Sequence, residues 1–565
     1  MNTLVIGTRE SKLALWQTHF VVARLRELFP NLECHIETFK TIGDDIVDRP
    51  LPELGGKGVF TARLEGALVR GDVDLAVHSL KDLPIEMSPG LTVGAICHRA
   101  DARDVLVTRE GVDIDGLPEG AIIGTSSLRR QAQMLARRPD LIMRPIRGNV
   151  ETRLRKVMSG EYSATVLAAA GVDRLTLDVV AGGRLPLDVM LPAPGQGAIA
   201  VQCRADDSRT LELLEKIDHG ETRRATQAER AFLAGLGGGC AAPVAAFARV
   251  DGDLVTMTGL VAQPDGSRQV RVEGSHTDCV ALGVQLASEA IARGARDILD
   301  ASRAALEKRL PLHGKRIAVT RAAHQTDELC AALSGMGAIP IRVPMIRTVA
   351  IADSSTVKRV AEGSRPGDWV VFTSANAVSA LWDSADGYEV EKVLKQLRVA
   401  AVGTKTAGAL ERRSVAPDFV PAEFKGDAIG REMPDVSGRN IWLLRAESAG
   451  HAIVEQLQKR GARVHDVAVY RTEPVALDSA AAEELDRGVD AILFTSGSTA
   501  RHFVDACAKQ GWDIEKFRKT VIACIGTSTE RTARELGFKV AVTPGKYTTS
   551  ALVDAVADYF SELRP

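Results

Sequence analysis

The stretch LAGLGGGCAAPV, residues 233–244, places one thiol, Cys240, directly behind three consecutive glycines. Glycine loses more conformational freedom on folding than any other residue, so a triple glycine marks a tight bend or a close approach. A lone cysteine is ordinarily a small buried apolar group. Cys240 instead follows a glycine loop, and a loop thiol near positive charge reacts as the thiolate, which makes it a candidate point of covalent attachment. The run TSSLRRQAQMLARRPDLIMRPIRGNVETRLRK, residues 125–156, sets Arg129, Arg130, Arg137, Arg138, Arg144, Arg147, Arg153, Arg155 and Lys156 against only Asp140 and Glu151. It reads either as a solvated helix face or as an anion site. Arg129 and Arg130 follow GTSS at an apparent strand-to-helix junction, where free N–H groups and the helix dipole favour an anion, and Arg147 sits in the loop RGN. The planar guanidinium fork suits carboxylates and phosphates. In HSLKDLP, residues 78–84, Lys81 and Asp82 follow the apolar run VDLAV at what reads as the C-terminal end of a parallel strand, where such folds bind ligands. A carboxylate there could stabilise a developing cation or move a proton, and its structural alternative is a helix cap.

Positioning such groups needs several domains. At 565 residues the chain exceeds one hydrophobic core, and roughly 100 to 200 residues per domain implies about three to five. Its 45% hydrophobic and 25% charged residues are those of an ordinary globular protein, and 71 basic against 73 acidic residues leave a net charge of −2. That balance, with 4% aromatic residues, argues against nucleic acid as the ligand. The first residues, MNTLVIGTRESK, become charged too early for a signal peptide and no run is long enough to cross a membrane, so a cytoplasmic location is expected. The eight cysteines are dispersed, with no CxxC pair, and neither disulfides nor a metal is expected.

Residues 1 to about 200 alternate apolar runs with helical patterns, the pattern of an α/β fold. ELGGKGVFTARLEGAL, residues 53–68, lacks the spacing of a phosphate loop and reads as a flap, spanning about 42–58, that enters a helix. From about 219 a helix, the glycine loop and three strands joined by Asp-Gly turns predict a small α+β module. PLHGK, residues 311–315, looks like a break between larger units. Beyond it the chain repeats itself: GKRIAVTRA at 314 returns as GRNIWLLRA at 438, VFTSANAVSAL at 371 as LFTSGSTARHF at 493, and AVGTKTAGAL at 401 as CIGTSTERTA at 524. Three matches at nearly one spacing predict a duplicated α/β unit, hence two similar lobes with a cleft between them.

GTRESKLALWQT, VHSLKDLP, GTSSLRRQAQ, IRGNVETRL, LPAPGQGAIA and FLAGLGGGCAAPV follow one another as in hydroxymethylbilane synthase, also called porphobilinogen deaminase, and residues 1 to about 305 resemble that family. Residues 311–565 resemble uroporphyrinogen-III synthase through VTRA, FTSANAV, AVGTKTA, VYRTEP, FTSGS and the duplication. The resemblance implies an α/β multidomain fold. Its first half would hold two periplasmic-binding-protein-like lobes, 1–97 with 198–216 and 98–197, and an α+β domain, 219–305, carrying the cofactor cysteine. After a linker, 306–313, the second half would hold lobe A, 314–346 with 474–565, and lobe B, 347–473.

The same resemblance implies a dipyrromethane cofactor attached to Cys240 by a thioether, onto which four porphobilinogen units are added with loss of ammonia before hydroxymethylbilane is released. By residue-wise match Asp82 would be catalytic, and Lys81, Thr125, Ser127, Arg129, Arg130 and Arg153 would hold the cofactor. Arg9, Ser11, Arg147, Gly148, Asn149 and Arg174 would hold substrate carboxylates. The second half would cyclise hydroxymethylbilane with inversion of the last ring to uroporphyrinogen III, with Tyr470 assisting hydroxyl loss and Thr373, Ser374, Thr406, Thr495, Ser496 and Ser528 facing the cleft. No nucleic acid, membrane or partner chain is implied, and a monomer is expected. Two alternatives stand beside this reading: a two-lobed small-anion binding protein, which has no need of Cys240, and a chain whose second half is a non-catalytic lobe pair.

Overall fold

The computed structural model describes residues 3–40, 61–177, 181–237, 242–384, 387–421, 426–517 and 519–563, so Cys240 and the segment expected as a flap lie outside the described residues. The chain divides into two units, residues 1–313 and 314–565.

In the first unit, the strands β1 (Thr3–Arg9), β2 (Glu33–Phe39), β3 (Leu75–Ser79), β4 (Leu91–Ile96), β5 (Asp104–Thr108), β6 (Ile122–Gly124), β7 (Ile142–Arg144), β8 (Ala164–Ala168), β9 (Ala181–Arg184) and β10 (Ile199–Arg204) form two sheets. Their orders are β2-β1-β3-β10-β4 and β7-β6-β8-β5-β9. In both, the first three strands are parallel and the fourth runs antiparallel to its neighbours. In both, that fourth strand is the one entered after the chain crosses between sheets: β5 follows the crossing 97–103 and β10 the crossing 185–198. One topology, twice, joined by two crossings, is the periplasmic-binding-protein-like lobe pair.

The apolar run at β3 reflects cover on both faces. Leu75 and Val77 pack with Leu4, Ile6, Val21 and Leu25 on one side, while Ala76 packs with Leu64, Leu68 and Val73 on the other. A third sheet, β11 (Val244–Asp251), β12 (Leu254–Ala262) and β13 (Gln269–His276), is antiparallel. Its turns contain Asp251-Gly252 and Asp265-Gly266, and both glycines take a positive φ, 56° and 77°. Phe232 from the helix Gly220–Gly235, with Leu282 and Leu286 from the helix Cys279–Ala292, fills one face of this sheet against Val255, Met257 and Val272.

The second unit contains β14 (Arg316–Val319), β15 (Ile339–Arg342), β16 (Ile346–Ala350), β17 (Trp369–Phe372), β18 (Arg398–Ala401), β19 (Asn440–Ala446), β20 (Arg463–Pro474), β21 (Ala491–Phe494), β22 (Val521–Cys524) and β23 (Val540–Val542). They form the sheets β15-β14-β21-β22-β23 and β16-β20-β19-β17-β18, parallel except where β16 meets β20. The chain begins in one sheet, builds the other and returns. Among the described residues no helix is long and apolar enough to cross a membrane.

Candidate active sites

In the first unit β3 ends in a single tight turn, Leu80–Asp82, that presents Lys81 and Asp82. Asp82 is exposed, caps no helix and makes no hydrogen bond or ion pair among the described residues. Lys81 keeps some solvent contact, yet enough protein surrounds it that burial pulls its pKa down to about 8, against the attraction of Asp82. Its ammonium donates to Gln196 Oε1 at 3.2 Å. Gln196 is fully buried and donates in turn to the Ala102 carbonyl at 2.8 Å and to Asp104 Oδ1 at 2.9 Å.

Asp104, at the start of β5, collects the two adjacent arginines: Arg129 Nη1 at 2.8 Å and Arg130 Nη2 at 2.7 Å. Burial alone would raise its pKa, but the two guanidiniums hold it well below the usual carboxylate range. Arg129 also donates to the Leu191 carbonyl and Arg130 to that of Val166, both at 2.7 Å, whereas the buried Arg130 Nε has no acceptor. These arginines open the helix Leu128–Arg137, whose N-cap Ser127 accepts from the Arg130 N–H at 3.4 Å. The buried Thr125 accepts from the Ser127 N–H at 3.1 Å, so both hydroxyls shape the turn.

Arg147, Gly148 and Asn149 form the next loop. Gly148 has φ 108°, and a Cβ there would lie 2.6 Å from the Thr152 methyl. Asn149 caps the helix Val150–Met158 by accepting from the Thr152 N–H at 2.9 Å. That helix carries Arg153, whose Nε donates to the Gly148 carbonyl at 2.9 Å. Burial and the charges of Arg130 and Arg147 lower its pKa to about 10, opposed by Asp82, so the four groups share one electrostatic neighbourhood. The pKa of Arg147 is itself lowered by burial. Arg174 is buried, donates to the Gly197 carbonyl at 2.7 Å, and stands 5.6 Å from the centroid of the Trp16 ring. Arg9 ends β1, and Ser11 caps the helix Lys12–Leu28.

The antiparallel domain joins the same region. Arg230 donates to the carbonyls of Leu83 at 3.1 Å and Pro84 at 2.6 Å, and Ile85 packs on that domain's core. Arg99 grips the fully buried Glu229 at 2.6 and 3.1 Å, and Glu229 also accepts from the N–H groups of Gly195 at 2.7 Å and Ala248 at 2.8 Å. Cys240 itself lies outside the described residues, in the segment between the helix Gly220–Gly235 and β11. Arg230, Glu229 and Ala248 therefore tie both elements flanking that segment to the crossings and to the loop after Asp82.

The arginine run is not one surface. Arg137 pairs with Asp115 at 2.5 Å on the exterior and Arg138 with Asp140 at 2.7 Å, whereas Arg129 and Arg130 are buried. The solvated-face alternative holds for Arg137, whereas Arg138 is half-buried and also donates to the carbonyls of Ile114 at 3.0 Å and Leu117 at 3.0 Å. The sequence reading did not single out Gln196, Asp104, Arg99 or Glu229. Gln196 sits in the quoted stretch LPAPGQGAIA between Gly195 and Gly197, both at positive φ, 74° and 89°. A Cβ on Gly197 would lie 2.7 Å from the Ala100 carbonyl on the other crossing, which requires glycine there.

In the second unit Thr373 and Ser374 follow β17, and Ser374 Oγ lies 3.1 Å from the hydroxyl of Tyr470. Tyr470 is buried in β20, opposite Ala350 and Ala446. Thr495 and Ser496 follow β21, where Ser496 caps the helix Gly497–Lys509 by accepting from the Thr499 N–H at 3.2 Å. Ser528 is exposed in the first turn of the helix Thr527–Glu535. Thr406 is buried in the helix Thr404–Glu411, at 3% exposure, unlike the Ser and Thr hydroxyls of the other candidates.

What surrounds Asp82 is a set of half-buried cations. Lys81 and Arg153 have no carboxylate within ion-pair distance among the described residues, and the buried Arg130 Nε lacks an acceptor. Excess buried positive charge of this kind fits an acidic ligand such as a dipyrromethane bearing acetate and propionate groups.

Comparison with known proteins agrees with this chemistry. Residues 4–212 match the family model described as porphobilinogen deaminase, dipyromethane cofactor binding domain, and residues 224–292 match the porphobilinogen deaminase C-terminal domain. Residues 327–554 match the model of uroporphyrinogen-III synthase HemD. The porphobilinogen deaminase of Pelotomaculum thermopropionicum is 49% identical over 302 residues, covering 53% of this chain and 97% of that protein. That of Geobacter sulfurreducens is 48% identical over 301 residues, covering 53% and 94%. Among solved structures, a mutant uroporphyrinogen III synthase from the extremely thermophilic bacterium Thermus thermophilus is similar at 20% identity over 44% of this chain and 100% of that chain, with a TM-score of 0.33. The family-model matches to both halves favour the two-enzyme reading over a small-anion binding protein or a chain with a single activity. The chain belongs to the porphobilinogen deaminase family through its first unit and carries a uroporphyrinogen-III synthase domain in its second, which makes it a fusion of two enzymes of haem biosynthesis.

Proposed function

We propose that the first unit condenses four porphobilinogen molecules into hydroxymethylbilane with release of ammonia, and that the second cyclises this product, with inversion of its last ring, to uroporphyrinogen III. The carrying observation is the unbonded, exposed Asp82 set among Lys81, Arg153, Arg147 and the Asp104-bound pair Arg129 and Arg130. A dipyrromethane held by a thioether to Cys240 would supply the nucleophilic pyrrole carbon that primes the chain, and would stay on Cys240 when hydrolysis of its bond to the four added rings releases hydroxymethylbilane. Lys81, Arg153 and the unfilled edge of Arg130 would bind its carboxylates, with Thr125 and Ser127 holding the turn. Arg9, Arg147 and Arg174, with Ser11, Gly148 and Asn149, would bind those of the incoming substrate. Loss of ammonia leaves positive charge on the substrate, and Asp82 would offset it and take up the proton that ring substitution releases.

In the second unit, departure of the hydroxyl from hydroxymethylbilane again leaves a cation. The Ser374–Tyr470 hydroxyl pair is the group assigned to assist it, with Thr373, Thr495 and Ser496 after their strands and Thr406 and Ser528 in the first turns of their helices as further hydroxyls. Holding one folded conformer supplies the rest of the barrier reduction. The same proposal includes the domain boundaries set out from the sequence, a monomeric state and a cytoplasmic location.

Intact-mass spectrometry tests the first half of this reading. Purified protein should exceed its sequence mass by one dipyrromethane, Cys240→Ser should lack the increment, and Asp82→Asn should keep it while losing most turnover. An unmodified wild-type chain with full activity would refute the attachment. An Asp82→Asn chain with near-normal turnover would remove Asp82 from the chemistry.

A further inference from the structure

The two halves of the duplicated second unit each place an arginine near the C-terminal end of a strand. Arg321 lies two residues beyond the end of β14, and β19 contains Arg445 at the corresponding place in the repeat GKRIAVTRA and GRNIWLLRA. The two arginines have different surroundings. Arg445 is buried at 3% exposure, donates through Nε to Asp466 at 2.6 Å, and binds the Gly450 carbonyl at 2.5 Å. Asp466 lies on β20 in register with Leu443 of β19. The equivalent of Leu443 on β14 is Val319, and the residue in register with it on β15 is Arg342. Where one lobe supplies an acid to neutralise its arginine, the other supplies a second cation, which turns away to Asp327 at 2.7 Å.

Arg321 is consequently half-buried without an ion pair among the described residues. Its Nε donates to Gln325 Oε1 at 2.7 Å, and its two terminal nitrogens have no acceptor there. Burial lowers its pKa, opposed by the more distant Glu328. Gln325 donates onward to Asn376 Oδ1 at 2.6 Å. Asn376 lies in the first turn of the helix Ala375–Ser384 of the other lobe, two residues beyond the Ser374 that meets Tyr470. Gln325 therefore bonds one lobe to the other beside the Ser374–Tyr470 pair and fixes the edge of the guanidinium that faces it, leaving the far edge for a ligand. A carboxylate would satisfy both terminal nitrogens at once through two parallel hydrogen bonds.

We infer that Arg321 binds an acetate or propionate group of the tetrapyrrole substrate of the second unit, and that Gln325 is its positioning residue, held by Asn376 of the other lobe. This rests on the reading of the second unit as a cyclase. The sequence pointed to hydroxyls there and to no cation, and the cation emerges only from comparing the two lobes.

The test uses the full chain, wild type and the variants Arg321→Met, Arg321→Lys and Gln325→Ala, supplied with freshly prepared hydroxymethylbilane. The rate of uroporphyrinogen III formation is followed against substrate concentration. Arg321→Met should raise KM about tenfold or more with kcat changed by less than about threefold, as expected for a lost charge-assisted pair. Arg321→Lys should recover part of that loss, and Gln325→Ala should raise KM by a smaller factor. Unfolding curves of each chain identify a variant that fails to fold, in which case the conservative Arg321→Lys must still show a raised KM. A wild-type KM in a folded Arg321→Met chain, or a loss confined to kcat, overturns the assignment and leaves the second activity standing. A wild-type chain that forms no type III product overturns the cyclase reading itself.

Discussion

Lys81 shows what a binding site costs the protein that carries it. With its pKa drawn down to about 8 by burial, it is charged at neutral pH at the expense of folding. The folded state releases the proton near pH 8, whereas the unfolded chain keeps it to about pH 10.4. The penalty is therefore fully present below pH 8 and fades as pH rises toward the unfolded value. Lys81→Met, placed in a Cys240→Ser background so that no cofactor interferes, should stabilise the chain by about 1 to 3 kcal/mol at pH 7. The gain should shrink to nothing by about pH 10.5, as read from thermal unfolding across pH. A destabilised variant at pH 7, or a pH-independent difference, would mean that Lys81 is already neutralised by the protein. Arg153 and Arg321 belong to the same class, cations left without a carboxylate that a ligand can complete.

At the scale of elements, the two crossings between the lobes of the first unit carry both the architecture and the site. Gln196 on one crossing links Lys81 to Asp104 at the end of the other, and Asp104 anchors the start of the arginine helix. Asp104→Ala would strand two buried guanidiniums and should cost about 3 to 5 kcal/mol, measured as a shift in the urea midpoint of the first unit's unfolding within the full chain. A shift below about 1 kcal/mol would show that Arg129 and Arg130 find other partners. These links also mark where sequence reading stops. The turn after β3, the GTSS junction, the Asp-Gly hairpins and the duplicated second unit were legible because each is signalled within a few residues or by direct repetition. Asp104, Gln196, Arg99 and Glu229 were not, since their partners lie between 19 and 130 residues away and are brought together by the tertiary fold, chiefly at the crossings. The arginine run misled in the other direction: composition gave Arg137 and Arg138 the same weight as Arg129 and Arg130, and only the fold separates those paired with local acids at the end of the helix from those buried against Asp104.

For the whole molecule, the claim is that one chain performs two consecutive reactions. Hydroxymethylbilane set free in water closes without inversion to the type I isomer, so the isomer formed reports whether the second unit acts on what the first releases. The full-length chain, given porphobilinogen alone, should therefore yield uroporphyrinogen III as the main product. A Tyr470→Phe chain should shift the mixture toward type I without slowing porphobilinogen consumption, because the Ser374 hydroxyl loses its partner while the first unit is untouched. Chromatographic separation of the isomers, after oxidation to the porphyrins, is the most direct measurement. Predominant type III product from the unmodified chain is the result this account predicts, and porphobilinogen consumed at a normal rate with only type I product would contradict it.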